Sequence, residues 1–288
     1  MNVSQSLVRF EWAMNRWLYN EEGYVIFEGL ISCVLNKNIH IRKLLDCQED
    51  DPFERNKRVD ILAEDDNGEF FLIEVQNETE FAYFQRMLFG TSKLVTEYIN
   101  RGQGYENIRK IYSINIVYFR LGNGTDYVYH GKTEFRGIHN NELLTLSNFQ
   151  QQKFAVSEVS ELYPEYYILK VNDFNKWSKV PLEQWIYFLS TGEIPDEADA
   201  PGLDEARTKL KLDSMTKSEL EAYYRHLDNI VILQDNITTA RGEGRLEGHA
   251  EGRAEAFIDV ARTMKQQGFD NESIMKCTNL SIEIIQAL

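Results

Sequence analysis

Three polar side chains interrupt two otherwise apolar runs in the first third of the chain. Asp60 sits in Arg58-Val59-Asp60-Ile61-Leu62-Ala63, and Glu74 and Gln76 sit in Phe70-Phe71-Leu72-Ile73-Glu74-Val75-Gln76. Both runs are rich in residues that favour strands. A carboxylate in such surroundings is costly unless a partner meets it. Two carboxylates facing each other on one sheet surface repel unless a cation or a proton lies between them. Oxygen-only ligands of this kind suit Mg²⁺, with Mn²⁺ as a substitute.

Strands place successive side chains on alternate faces, so Glu74 and Gln76 share one. The face of Asp60 depends on the turn formed by Asp65-Asp66-Asn67-Gly68, a strong hairpin signal. A two-residue Asn67-Gly68 turn pairs Asp60 with Val75 and puts the acids on opposite faces. A three-residue loop, Asp66-Asn67-Gly68 with Gly68 left-handed, pairs Asp60 with Glu74. The three-residue loop is the one expected, because only that register builds a site.

The spacing Asp-x(13)-Glu-x-Gln resembles the core of PD-(D/E)XK nucleases, in the variant where Gln replaces the usual Lys. The wider text, including YFQRMLFGTSK, GYENIRKIYSINIVYF, PEYYILKV, EQWIYFL and the late EGxxEG run, is similar to the recombination-promoting nuclease and putative transposase (Rpn) family. The resemblance covers nearly the whole chain. It implies an α/β restriction-endonuclease-like core, a mixed sheet flanked by helices, with a helical C-terminal extension. It also implies metal-dependent DNA cleavage, Asp60 and Glu74 as metal ligands, and Gln76 at the position of the catalytic Lys. The backbone carbonyl of Val75 is a further candidate ligand.

Elements must hold these residues in place. Residues 3–19 carry Leu7, Phe10, Met14, Trp17 and Leu18 at helical spacing. Glu11 and Asn15 lie a turn apart there, where the family commonly has Asp and Lys; Glu keeps the carboxylate and Asn loses the charge. Residues 25–35 form a second apolar helix with one acid, Glu28. An acid on an early helix often completes a PD-(D/E)XK metal site, so Glu11 and Glu28 are both candidates, and an ordinary surface or paired Glu is the plainer alternative for each. Residues 38–47 alternate as a first strand. Lys57 and Arg58 lead into the hairpin as candidate phosphate contacts or as solvated charge. A helix is expected between Thr79 and Gly102, with Phe81, Phe84, Leu88, Leu94, Val95 and Tyr98 toward the core. Arg86 lies within it, snorkelling or aimed at the site, and the resemblance favours the site. Arg86, Lys93, Arg101, Arg109 and Lys110 give residues 80–110 a modest basic excess, a candidate phosphate-facing side.

Residues 111–119 read as a strand buried on both faces, with further strands in 126–136 and 163–171. His130 and His139 fall outside the acidic constellation and read as structural, and the many tyrosines read as sheet packing before base stacking. Residues 182–190 form an amphipathic helix, followed by an acidic, Pro-containing linker or loop. Two helices break near residues 213–216. In RGEGRLEGHAEGRAE, residues 241–255, Gly244, Gly248 and Gly252 recur every four residues. The repeat is either a self-associating helix or a flexible tether, since each Gly costs about 1 kcal/mol inside a helix. Residues 256–288 form a small unit like a helix-turn-helix whose last helix lacks bases, which favours packing or dimerisation over DNA reading. The expected organisation is a nuclease domain at 1–192, a helical extension on the core at 193–240, the repeat at 241–255 and the small unit at 256–288.

The 288 residues, 43% hydrophobic, suffice for a packed core. A net charge of −15 excludes a uniformly basic polyanion binder but is compatible with a local basic cleft. Cys33, Cys47 and Cys277 are scattered and odd in number, which suits a reducing cytoplasm. The first residues lack a signal-peptide core and no run reaches the ~18 apolar residues of a membrane span. Together these features lead to a Mg²⁺-dependent endodeoxyribonuclease acting on DNA, promoting recombination or related to mobile elements, and able to self-associate through its C-terminal region. The alternative is a catalytically silent DNA-binding or assembly module on the same fold.

Overall fold

The computed structural model describes residues 7–14, 18, 21–45, 59–98, 104–174 and 176–288, with the backbone alone at 22, 59, 60, 173, 213 and 234. Asn15, Cys47, Lys57, Arg58 and Arg101 lie outside the described residues. The chain divides into two units, Met1–Thr216 and Lys217–Leu288.

The first unit is built on a six-stranded mixed sheet. Its strands are β1 (Ile41–Leu45), β2 (Val59–Asp65), β3 (Phe70–Gln76), β4 (Ile111–Val117), β5 (Val128–Gly131) and β6 (Glu165–Lys170). They lie in the order β1-β2-β3-β4-β6-β5. The β1/β2, β2/β3 and β5/β6 pairs are antiparallel, while β3/β4 and β4/β6 are parallel. Every residue of β4 is buried, as expected of a largely apolar strand covered on both faces.

Helices α1 (Phe10–Met14), α2 (Glu21–Leu35), α3 (Tyr83–Tyr98), α4 (Asn148–Phe154), α5 (Pro181–Thr191) and α6 (Leu203–Lys209) accompany the sheet. The face of α3 that turns to the sheet differs from the expected one. Tyr83, Met87, Thr91 and Leu94 are buried, with Val95 and Tyr98 half-buried against the Leu62–Phe70–Leu72 cluster. Phe81, Phe84 and Leu88 are exposed. The reason is polar pairing: Tyr83 donates to Asn115 Oδ1 at 3.3 Å, and Thr91 Oγ1 bonds the Tyr166 hydroxyl at 2.7 Å.

Residues 193–202, read as a linker, are packed. Gln184 Oε1 accepts from Asp199 N and Ala200 N at 3.0 and 2.9 Å, and Trp185 Nε1 donates to Pro201 O at 3.0 Å. A Cβ on Gly29 would meet Pro201 O at 2.1 Å, so this glycine of α2 permits the close approach.

In the second unit α7 (Lys217–Gln266) runs as one helix through the whole Gly repeat, ~75 Å at 1.5 Å per residue. Its last turns pack on α8 (Asn271–Thr278) and α9 (Ile282–Ala287) through Ala261, Ile274 and Ile285. Asn279 takes the left-handed turn conformation with φ 58°, as Asn tolerates.

Candidate active site

The β2–β3 hairpin sets the site. Gly68 has φ +78°, and the Asp65 carboxylate accepts from Asn67 N and Glu69 N at 3.0 and 2.8 Å. Asp65 N in turn donates to Glu69 O at 3.1 Å. Residues 66–68 are therefore a three-residue loop, and the register brings Asp60 opposite Glu74. The pair lies toward the carboxyl end of β3 and of its parallel neighbour β4, where open α/β sheets bind ligands.

The same level of the sheet continues across it. Glu74 is paired with Asn115, Asn115 with Ile168 and Ile168 with Tyr129. Asp60, Glu74, Asn115, Ile168 and Tyr129 thus form one row on one face, the face covered by α3. Asn115 is fully buried, and its Nδ2 donates to Ser113 Oγ and Tyr167 O at 2.9 and 3.2 Å.

Glu74 is buried, and its charge is met from α3. Arg86 NH2 lies 3.3 Å from Glu74 Oε1, and Arg86 NH1 lies 3.0 Å from Glu80 Oε2. The Arg86 guanidinium sits 5.8 Å from the centre of the Tyr83 ring. Arg86 therefore bridges two carboxylates; it is not a surface snorkeller. Gln76, half-buried, stands two residues on along the same face, and its carbonyl accepts from Tyr118 N at 3.0 Å. Val75 faces the other way, opposite Val59. Its carbonyl has the same parity as that of Glu69, which accepts from β2, so it is directed to the strand carrying Asp60.

Of the two early-helix acids, Glu11 is at this end of the sheet. Helix α1 packs against β2. Glu11 forms an ion pair with Arg9, whose guanidinium lies 5.3 Å from the centre of the Tyr118 ring. Burial raises the Glu11 pKa, with Arg9 opposing it. Burial, helped by the nearby Glu11 charge, also pushes the Tyr118 hydroxyl well above its ordinary value. Glu28 is elsewhere: its Oε1 accepts from Ile41 N at 2.7 Å, and Ile41 pairs with Asp65, five residues or ~17 Å along β2 from Asp60. It ties α2 to β1.

The proposed basic side is likewise dispersed. Arg109 pairs with Glu64 at 3.1 Å and Lys93 with Glu97 at 3.7 Å. Lys110 is held by Ser160 O, Tyr163 O and Glu165 at 2.7–3.1 Å. Arg109 and Lys110 thus tie the strand ends to neighbouring acids, while the Lys93 pair is an exposed one within α3. His130 bonds Glu165 at 2.9 Å and stacks on Tyr167, the structural role expected of it.

Asn115, Tyr83 and Glu80 are site neighbours that sequence reasoning passed over. The signal was present: Ser113 and Asn115 interrupt the apolar strand β4 at alternate positions, as Glu74 and Gln76 interrupt β3.

The donors at the pair are all oxygen, the set a hard divalent cation prefers. Among the described side chains no three of His, Cys, Asp and Glu come together to hold a metal.

A mixed six-stranded sheet flanked by helices, with Asp60 opposite Glu74 in the register of its hairpin, fits a PD-(D/E)XK α/β core. Residues 9–239 match the family described as PD-(D/E)XK nuclease family transposase, and the chain belongs to that family. Nucleases of this superfamily usually use divalent metal ions. No curated protein and no solved structure matches the chain. Among the described residues no helix is long and apolar enough to cross a membrane.

Proposed function

We propose that the chain is a Mg²⁺-dependent DNA endonuclease, with Mn²⁺ able to substitute. The observation that carries this reading is the register that brings Asp60 opposite buried Glu74 at the carboxyl end of β3. Asp60, Glu74 and the Val75 carbonyl would hold the cation. When bound, it supplies Lewis-acid polarisation of the scissile phosphate and lowers the pKa of an attacking water. Gln76, on the face of Glu74, orients the water or a phosphate oxygen by hydrogen bonds but brings no charge. Arg86, already bridging Glu74 and Glu80, is the nearest described cation and takes up part of the charge stabilisation that a Lys would provide. Glu11 stands as a further acid at this end of the sheet. Lys57 and Arg58, which precede β2, are proposed phosphate contacts. The breaks made would promote recombination in the cytoplasm, with self-association through the C-terminal region.

One observation favours a second reading, a silent DNA-binding or assembly module. Gln76 stands where the family usually has Lys and brings no charge.

Plasmid nicking separates the two. Cleavage that requires Mg²⁺ or Mn²⁺, stops in EDTA and is lost in Asp60→Ala supports the nuclease. DNA binding without cleavage under any divalent ion favours the silent module.

A further inference from the structure

The row that begins at Asp60 and Glu74 ends in a cavity. This space of about 530 Å³ lies between α3 and the β5–β6 edge. Ile168 and Tyr129 of that row line it, with Tyr166, Phe84, Met87 and Leu88 around them. Strands are ~4.8 Å apart, so Ile168 lies about 10 Å and Tyr129 about 14 Å from Glu74 across the sheet. The lining is mostly apolar and partly aromatic; it also includes Lys170, whose Nζ donates to Gly124 O and Asp126 O at 3.0 and 3.4 Å, and His130, which bonds Glu165. The apolar surface continues outside it: Phe84 is 53% exposed, Leu88 60% and Phe89 70%, and Phe81 is fully exposed. Phe81 follows Glu80 directly, and Glu80 joins Arg86 and, through it, Glu74.

We propose that this cavity receives an unstacked base of the DNA strand held at the Asp60–Glu74 pair, with Phe81 as the wedge that opens the stack. The proposal rests on the nuclease reading above and names how that site would hold its substrate. Three observations choose a base over other occupants. First, the cavity shares a face and a level with the catalytic pair, so a strand positioned at Glu74 passes its mouth. Second, an apolar wall rejects phosphate and accepts the only uncharged part of a nucleotide, whose flat face stacks on aromatic side chains. Third, a chain of net charge −15 has little to gain from sequence-independent phosphate contact. Uncharged contacts then carry more of the affinity for DNA, beside the phosphate contacts proposed for Lys57 and Arg58, and exposed aromatics beside the site supply them. Insertion of an apolar side chain between base steps, with the loss of stacking it entails, is a known means of holding bent or opened DNA.

The test uses the full chain. Cut positions are first mapped on a short duplex with the wild-type protein and Mn²⁺. The same duplex, carrying 2-aminopurine at successive positions around the cut, is then bound by Asp60→Asn, which holds DNA without cutting. The expected result is a severalfold rise in 2-aminopurine emission at one or two adjacent positions. In the same background Phe84→Ala is expected to lower that rise and weaken binding about tenfold. Phe84 is half-exposed, so the substitution is expected to leave folding intact, which circular dichroism of the variant checks. A complex seen by anisotropy with no emission change at any position overturns the proposal. So does Phe84→Ala that binds and raises 2-aminopurine emission like its Asp60→Asn parent, or that alters sedimentation and not DNA binding, which would make the face a contact between two copies. If the wild type cuts while these tests fail, the cavity reading alone falls. If it neither binds nor cuts DNA, both fall.

Discussion

Glu74 and Arg86 are 6% and 10% exposed at their side chains, so their ion pair is far from water. Removing one partner of a buried pair is more costly than replacing both. Arg86→Met is therefore expected to lower the unfolding free energy by about 3 kcal/mol in urea titration. The double variant with Glu74→Gln should recover most of that loss, a coupling the double-mutant cycle reads directly. At the other end of the strands, Glu165 is opposed by burial but held below its ordinary pKa by Lys110 and His130. Burial wins at Lys110 itself, whose ammonium pKa is lowered despite Glu165. The two shifts pull in different senses; the 2.7 Å contact and two further carbonyls at Lys110 Nζ argue for a charged pair at neutral pH. A carboxyl with a depressed folded pKa stabilises above its unfolded value, about 4.3, and the gain is lost as pH falls through the folded value. Glu165→Gln should thus cost about 1–3 kcal/mol at pH 7 and little near pH 3, measured by denaturant unfolding at both.

At the scale of elements, the hairpin loop decides whether there is a site. A one-residue slip of β2 against β3 would send Asp60 to the opposite face from Glu74. Gly68 holds the loop at φ +78°, where a Cβ costs about 1–2 kcal/mol. Gly68→Ala is expected to lose that much stability. Nicking activity should fall further than stability explains if some molecules adopt the other register. Hydrogen exchange of the Ile61 and Ile73 amides, which pair across the ladder, checks the register. Helix α3 contributes on two sides at once: its buried face places Tyr83 on Asn115 and Arg86 on Glu74, and its exposed face borders the cavity.

For the whole molecule, a net charge of −15 means that a bound divalent cation relieves repulsion as well as completing the pair. A ligand that binds only the folded state stabilises it by mass action, about 2.7 kcal/mol at a hundredfold excess over Kd. Mn²⁺ is expected to raise the melting temperature of the first unit by several degrees, followed by tryptophan emission. Asp60→Asn should abolish the rise. Equal stabilisation of both proteins would mean that the cation binds elsewhere. The second unit is organised differently, as a 50-residue helix capped by two short ones, and the family match ends within that helix.

What could be read from the chain alone were the features governed by local chemistry. The polar interruptions in β3, the left-handed Gly68 and the alternation of strand faces define the acidic pair, because a buried carboxylate and a tight turn each admit few solutions. Asn279 as a turn residue and the buried strand β4 follow in the same way. Tertiary structure decided what depends on partners distant in sequence. Asn115 and Thr91 are buried because Tyr83 and Tyr166 meet them, and this turned α3 by enough to expose Phe81, Phe84 and Leu88. Glu28 went to the Ile41 amide, Arg109 and Lys110 went to acids at the hairpin end, and the acidic stretch after Thr191 found its acceptor in Gln184. Hydropathy scores a polar group as if it faced water; whether it faces a partner is known only once the sheet has assembled.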